Sequence, residues 1–382
     1  MRRRTLPTLQ RALLLLRQPN NPLRLRARCP MNRRFALFPG CSAQTTGKAY
    51  TESFSYVARR IGLGIDEIRD WNCCGSAVAA GANPDLGDAL PARNLALAEE
   101  QFGDVPVLAL CAGCYQNLRR GLVHTRASEA DHARIEALID RPYAASAEVV
   151  NGIEPFLDPD VAAAVRGRVI APLQGLKVAC YYGCMLVRPR ELCSFDDAEC
   201  PTSMEQVVAL SGAECVDWSF KTECCGASHQ VSMAKHTRPL IARLFEAAAA
   251  NGADAIACAC PLCMPNLDMR EAEVNRARRE AGAPAFDIPV YYFTELLASA
   301  LGALPEESGV ARHFHPAARQ VMAAMTRGVD ATLAELDRPA LSAEEAAFEA
   351  KLAAMDPARA AKVRAAHEAK RRRQAAGKEV IA

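Results

Sequence analysis

Cys73-Cys74-Gly75 and Cys224-Cys225-Gly226 are the stretches whose reading decides the fold. Each doublet follows a single cysteine, Cys41 or Cys184, and precedes a pair separated by two residues, Cys111-Ala-Gly-Cys114 or Cys260-Pro-Leu-Cys263. Between the single cysteine and the doublet lie 31 residues in the first copy and 39 in the second, and between the doublet and the final pair lie 36 and 34. Ten of the 16 cysteines therefore fall into two parallel sets of five. Five thiolates are one more than a cubane iron–sulfur cluster or a structural zinc site uses.

The residues around each set predict strand and helix in alternation. Phe35-Ala-Leu-Phe38 is a short apolar run stopped by Pro39-Gly40, which makes Arg34 to Phe38 a strand with Cys41 just past its carboxyl end. Tyr50, Phe54, Val57, Ala58 and Ile61 recur at helical spacing, and Gly62 and Gly64 end that helix. Ile65 to Trp71 reads as a strand, Arg93 to Phe102 as a helix, Val105 to Leu110 as a strand and Tyr115 to Leu122 as a helix. The second copy repeats the order: strand Leu176 to Ala179, helix Met204 to Ser211, strand Glu214 to Trp218, helix His236 to Ala249, strand Ala255 to Ala257 and a helix from Met264. Such alternation predicts an α/β fold of two pseudo-twofold related halves, each a small parallel sheet with its site at the strands' carboxyl ends. Residues 123–175 read as connecting helix and loop. Pro289 to Phe293 reads as a strand and Thr294 to Leu301 as a helix.

The expected organisation is an extension over 1–34, without order, a first cysteine-rich domain over 35–150, a second over 151–304 and a helical tail over 305–382. Met31 directly before the first strand suggests that residues 1–30 arise from an upstream start. In the tail, Ser342-Ala-Glu-Glu345 has the form of a capping box and Asp356-Pro357 that of a helix start, while Lys370 to Arg373 is a basic run on a solvated helix end.

Composition narrows the function. Half of the 382 residues are hydrophobic, enough for a large core, and a net charge of +2 gives no field for nucleic acid. The leucine run Ala12 to Leu16 is far short of the roughly twenty residues that span a bilayer. A long chain rich in Ala and Leu is unlike short secreted disulfide scaffolds, so the cysteines read as thiols in a reducing cytoplasm.

Adjacent cysteines on a strand face opposite ways, so a doublet serves one centre only where the chain bends. Gly75 and Gly226 supply the bend and let backbone N–H groups approach sulfur. The final pairs stand at strand-to-helix junctions, where a helix N-terminus favours anionic sulfur. Structural zinc, a cubane with one spare cysteine, an iron–sulfur assembly using all five, and purely structural thiols all remain open on these grounds. Two one-electron centres would match the two electrons of a disulfide. Trp71 and Trp218, ahead of the doublets, read as core. Lys221 and His229 flank the second doublet and read as structural or solvated, with proton donation the alternative.

At Tyr181-Tyr182-Gly183-Cys184-Met-Leu-Val-Arg-Pro189, at Asp196-Asp197 followed by Pro201-Thr202-Ser203-Met204, and at Cys260-Pro-Leu-Cys263 followed by Asn266-Leu267, the chain resembles the B subunit of heterodisulfide reductase, a two-copy member of the CCG cysteine-rich domain family. The resemblance covers residues 35–304. It implies two non-cubane [4Fe-4S] clusters, one on Cys41, Cys73, Cys74, Cys111 and Cys114, the other on Cys184, Cys224, Cys225, Cys260 and Cys263, facing a disulfide. It also implies a cubane-cluster ferredoxin-like subunit and a flavoprotein subunit as partners. The second copy's final spacing is one or two residues shorter than the family's, which makes Cys258 a competitor to Cys260; Cys-Pro-Leu-Cys decides for Cys260. Cys29, Cys180, Cys193, Cys200 and Cys215 read as bystanders.

The expected activity is that of a sulfur-directed oxidoreductase subunit, reducing a disulfide or oxidising thiols or sulfane sulfur. With no Gly-x-Gly-x-x-Gly run and no ferredoxin cysteine run, its electrons must come through partners. The Ala/Arg-rich composition points to the bacterial heterodisulfide-reductase-like type. Two rivals stand: an iron–sulfur subunit of a lactate-, glycolate- or succinate-type dehydrogenase, disfavoured by the two quoted motifs and the lack of a fused ferredoxin module, and a zinc-bearing scaffold.

Overall fold

A computed structural model describes residues 33–336 except 44, 77 and 231, together with 9, 13 and a few positions between 351 and 364. Cys29, the capping box at 342–345, Pro357 and the basic run at 370–373 lie outside the described residues.

The chain forms two four-stranded sheets of one design. Strands β1 (Arg34–Phe38), β2 (Gly64–Glu67), β3 (Val107–Ala109) and β4 (Val149–Asn151) lie in the order β2-β1-β3-β4, every pair parallel. Strands β5 (Lys177–Tyr181), β6 (Glu214–Val216), β7 (Ala255–Cys258) and β8 (Val290–Tyr292) repeat it as β6-β5-β7-β8, again all parallel. In both sheets the chain steps outward from the first strand and then returns to its other side. That reversal opens a crevice at the carboxyl ends of the two central strands, the place where such folds bind ligands.

Helices cover the sheets. The first half carries α1 (Lys48–Ile61), α2 (Pro84–Phe102), α3 (Ala112–Thr125) and α4 (Glu129–Ile139), and α5 (Pro159–Arg166) follows β4. The second half carries α6 (Ser203–Ala209), α7 (Ala234–Ala250), α8 (Cys263–Glu280) and α9 (Phe293–Ala300), and α10 (Ala318–Leu336) comes after it. On α1 the residues at helical spacing, Tyr50, Phe54, Val57, Ala58 and Ile61, are all buried, and Gly62 ends the helix in the left-handed region at φ 83°. Asn83 caps α2 through its side-chain oxygen, which is why that helix starts nine residues before Arg93.

Residues 123–175, read from sequence as connecting helix and loop, contain a strand: Val149–Asn151 pairs with β3 and completes the first sheet. Three residues at a sheet edge are too few to show an alternating pattern. Ile65 to Trp71 is likewise shorter in the structure, ending as a strand at Glu67.

The two halves meet along α1. Its Ser53 hydroxyl is 2.7 Å from that of Thr294, Phe54 and Phe293 both pack edge-on against Phe156, and Tyr50 stacks on Tyr292. The loop between Cys41 and α1 reaches further: a Cβ on Gly47 would stand 2.8 Å from Pro261 Cβ, inside the second set's final pair. These contacts hold the carboxyl ends of both sheets along one seam.

Candidate metal centre

All ten cysteines of the two sets lie just past the carboxyl ends of strands: Cys41 and Cys184 after β1 and β5, the doublets after β2 and β6, and Cys111 and Cys260 after β3 and β7. In the first set Cys74 Sγ stands 3.4 Å from Cys114 Sγ, and electrostatic interactions link Cys41 with Cys73, Cys73 with Cys74 and Cys111 with Cys114. In the second, the same kind of interaction links Cys184 with Cys224 and Cys263 with both Cys225 and Cys260. Those five sulfurs line one small pocket with a cavity of about 20 Å3. Among the described residues, no three His, Cys, Asp or Glu side chains close together as they would around a single metal ion.

The sets also match in exposure. Cys41 and Cys73 are exposed, whereas Cys74, Cys111 and Cys114 are buried. Cys184 is half-buried and Cys224 exposed, whereas Cys225, Cys260 and Cys263 are buried. Each set thus has a two-sulfur rim open to solvent and a three-sulfur floor. The doublets create this difference because adjacent residues face opposite ways, while Gly75 and Gly226, at φ 89° and 79°, turn the chain directly after them. A Cβ at Gly226 would stand 2.8 Å from Thr237 Cγ2, and the Gly226 N–H donates to Cys224 Sγ at 3.3 Å. The glycines before the single cysteines are constrained too, since a Cβ on Gly40 would meet Cys114 Sγ at 2.9 Å and one on Gly183 would meet Cys263 Sγ at 3.2 Å.

Donors surround the inner doublet cysteines. Asn117 Nδ2 donates to Ser76 O at 2.8 Å and faces Cys74 Sγ at 3.6 Å. Asn266, at the same place in the second copy, donates to Cys225 O at 2.8 Å. The Cys74 thiol is lowered to about 6 by the bond from Cys114, outweighing burial, with help from the Ser76 N–H and Asn117. Cys225 is lowered to about 7 by Cys263 against burial, with Asn266, the Ala227 N–H and Tyr181 assisting. Cys224 is lowered to about 6 through Cys184, opposed by burial and helped by the Gly226 N–H and the charge of His229. In return Cys114 and Cys263 are pushed up by the sulfurs they serve. Cys73 and Cys184 are pushed up as well, so each set pairs sulfurs that favour the thiolate with neighbours that favour the thiol. Asn117 was not singled out from sequence, although Cys-x-x-Cys-x-x-Asn-Leu occurs in both copies.

The remaining candidates have structural places. Trp71 packs edge-on against Phe38, and Trp218 is buried and donates to Cys180 O at 2.9 Å. Lys221 pairs with Glu205 at 2.6 Å, and its carbonyl accepts from the Tyr182 and Gly183 N–H groups, fixing the turn into Cys184. His229 is exposed. Asp196 accepts from the Thr202 and Ser203 N–H groups at the start of α6. Cys258 is fully buried within β7, whereas Cys260 lines the pocket. Cys180 and Cys193 are buried, Cys215 half-buried and Cys200 exposed.

Two parallel sheets, each with five cysteines gathered where its strand order reverses, define a duplicated cysteine-rich domain. The CCG family model, described as "Cysteine-rich domain", matches the chain twice, at residues 35–119 and 178–268. The chain is 28% identical over 281 residues, 73% of its length and 96% of the relative's, to the 8-methylmenaquinol:fumarate reductase membrane anchor subunit of Wolinella succinogenes. It is 26% identical over 72% of its length, and 92% of the relative's, to the B subunit of the ferredoxin:CoB-CoM heterodisulfide reductase of Methanosarcina mazei. The corresponding B subunit of the ferredoxin/F(420)H(2)-dependent enzyme of Methanosarcina acetivorans is 27% identical over the same shares. Among solved structures, that of a hypothetical protein from Helicobacter pylori has the same fold, with a TM-score of 0.58 at 13% identity over 81% of this chain and 57% of the other. No described helix is long and apolar enough to cross a membrane.

Proposed function

We propose that each five-cysteine set holds one iron–sulfur cluster, giving two [4Fe-4S] clusters of non-cubane type, and that the chain is the sulfur-directed redox subunit of a heterodisulfide reductase-like complex. The observation that carries this reading is the gathering of five sulfurs, twice, with the same open rim and closed floor. The residues suit such a group. Amide and backbone N–H donors already face sulfur, and the hydroxyls of Tyr50 and Tyr292 have no hydrogen-bond partner among the described residues. A zinc site would leave one thiolate of each set unused.

When bound, an iron–sulfur cluster supplies one-electron steps. Two of them supply both electrons of R–S–S–R′ + 2e⁻ + 2H⁺ → RSH + R′SH, or accept them in reverse. The chain's own part is to hold and orient. Cys74, Cys111 and Cys114, with Cys225, Cys260 and Cys263, close the inner walls against water, while the Cys41–Cys73 and Cys184–Cys224 rims leave an approach for a sulfur compound. Met185 follows Cys184 directly and borders both sets, standing 3.7 Å from where a Cβ on Gly113 would be and also lining the second pocket. Residues 35–150 and 151–304 act as the two domains, 305–382 as an appended tail. Electrons arrive through a cubane-cluster ferredoxin-like subunit and a flavoprotein subunit, and the complex works in the cytoplasm.

The Wolinella succinogenes relative favours a second reading, an electron-transfer subunit of a fumarate reductase-type complex. That relative aligns over 96% of its own length, so lack of a fused ferredoxin module does not count against this role. Reaction with a small aliphatic disulfide separates the two. Anaerobically reduced protein mixed with 2-hydroxyethyl disulfide is expected to release two thiols per two electrons consumed and to change its paramagnetic resonance. No thiol and an unchanged signal, with electron exchange to a quinone intact, would favour the second reading.

A further inference from the structure

Tyr50 on α1 and Tyr292 at the end of β8 come from different halves of the chain and stack face to face, with ring centroids 4.6 Å apart and planes within 7°. Both are 1% exposed, and neither hydroxyl has a hydrogen-bond partner among the described residues. Phenylalanine would fill the same stack without leaving a buried hydroxyl unpaired. Two such hydroxyls call for an acceptor that the polypeptide does not supply.

Their surroundings say where that acceptor lies. The Tyr50 oxygen is pressed against Gly152, where a Cβ would collide with it, and the same point is 3.1 Å from Leu110 Cδ2, next to Cys111. Gly152 thus leaves room for the oxygen beside the root of the first set's final pair. The thiols of Cys258 and Cys260 from one half and Cys111 from the other lie close enough to act electrostatically on Tyr50. Tyr292 pairs across the sheet with Cys258, two residues before Cys260, and its N–H donates to Glu295. Its ring also lines a cleft of about 370 Å3 walled by Thr45 and Lys48 from one half and Met264 and Asp268 from the other. The stack therefore stands at the seam between the sulfur sets.

We propose that Tyr50 and Tyr292 are a paired hydrogen-bond donor to the anionic sulfur of the clusters that the two sets would hold at this seam. This rests on the iron–sulfur reading above. The pair neither ligates iron nor gives up its protons; it is a positioning device that stabilises added negative charge. Hydrogen bonds to cluster sulfur raise the reduction potential, so their loss makes reduction harder.

Tyr50→Phe and Tyr292→Phe keep the stacked rings and remove only the oxygens. Redox titration of the anaerobically purified full chain against a dye is expected to show the reduced-to-oxidised ratio falling about tenfold in each variant, equivalent to about 59 mV for one electron. Iron content should be unchanged. Tyr143→Phe, which removes another buried unpartnered hydroxyl, should leave the ratio alone. Incorporation of 3-fluorotyrosine keeps ring and hydroxyl but strengthens the donor, and is expected to shift the ratio the opposite way even if a phenylalanine variant fails to fold. Iron-loaded protein with the same ratio in all forms would overturn the proposal alone. A wild-type chain without iron would overturn it together with the cluster reading.

Discussion

Cys225→Ala is expected to remove about half of the bound iron and to leave the first set's spectroscopic signal intact, and Cys74→Ala to do the converse. These two positions are chosen because each is the hub of its set. Cys74 touches Cys114 and Cys73 and faces the Asn117 amide; Cys225 interacts with Cys263, with Asn266 and Tyr181 alongside. Alanine there removes a floor thiolate that no neighbouring cysteine replaces, since Cys258 of the second half is held inside β7. The sets belong to separate sheets, so damage should stay on one side. Cys200→Ala is the fitting control, being exposed and outside both sets. Iron and acid-labile sulfide analysis with paramagnetic resonance reads the result, and unchanged iron in both hub variants contradicts the five-cysteine sets.

His313→Leu should lower unfolding stability by about 3–5 kcal/mol, the usual consequence of leaving buried charge unpaired. The ring is 4% exposed, with Nε2 2.9 Å from Glu295 and Nδ1 3.5 Å from Asp268, two carboxylates that are themselves 0% and 5% exposed. Burial pulls the imidazole down, but the charge of Glu295 and the bonds to Asp268 and Glu295 outweigh it and lift the group to about 10. A folded value above the unfolded 6.5 means that this contribution is complete below about pH 6.5 and is lost as pH rises through about 10. Urea denaturation should therefore show stability falling over that range. A flat profile, or a variant as stable as the wild type, contradicts the pairing. The effect also bears on the seam, because Glu295 accepts from the Tyr292 N–H at 2.8 Å and so ties His313 to the turn that carries the tyrosine stack.

The duplicated architecture was legible because its signals are local and chemical. Phe35 to Phe38 and Leu176 to Ala179 are apolar runs ended by a turn, and the doublets with their glycines mark the strand ends without reference to any distant residue. What escaped is what tertiary structure decides. Val149–Asn151 is too short to show a period. Tyr50 fitted the apolar face of α1 as well as any core residue would. Only the structure shows that it stacks on Tyr292, 242 positions away in sequence, and that its hydroxyl is buried and without a partner among the described residues. The difference between rim and floor cysteines was equally invisible, since Cys73 and Cys74 are adjacent and only the structure shows which faces outward and which in.

The central claim is that both sets carry clusters, and iron, sulfide and zinc analysis of the anaerobically purified wild-type chain tests it most directly. The expected result is about eight irons with matching sulfide per chain and a paramagnetic signal that responds to added thiol or disulfide. Zinc without iron would contradict it.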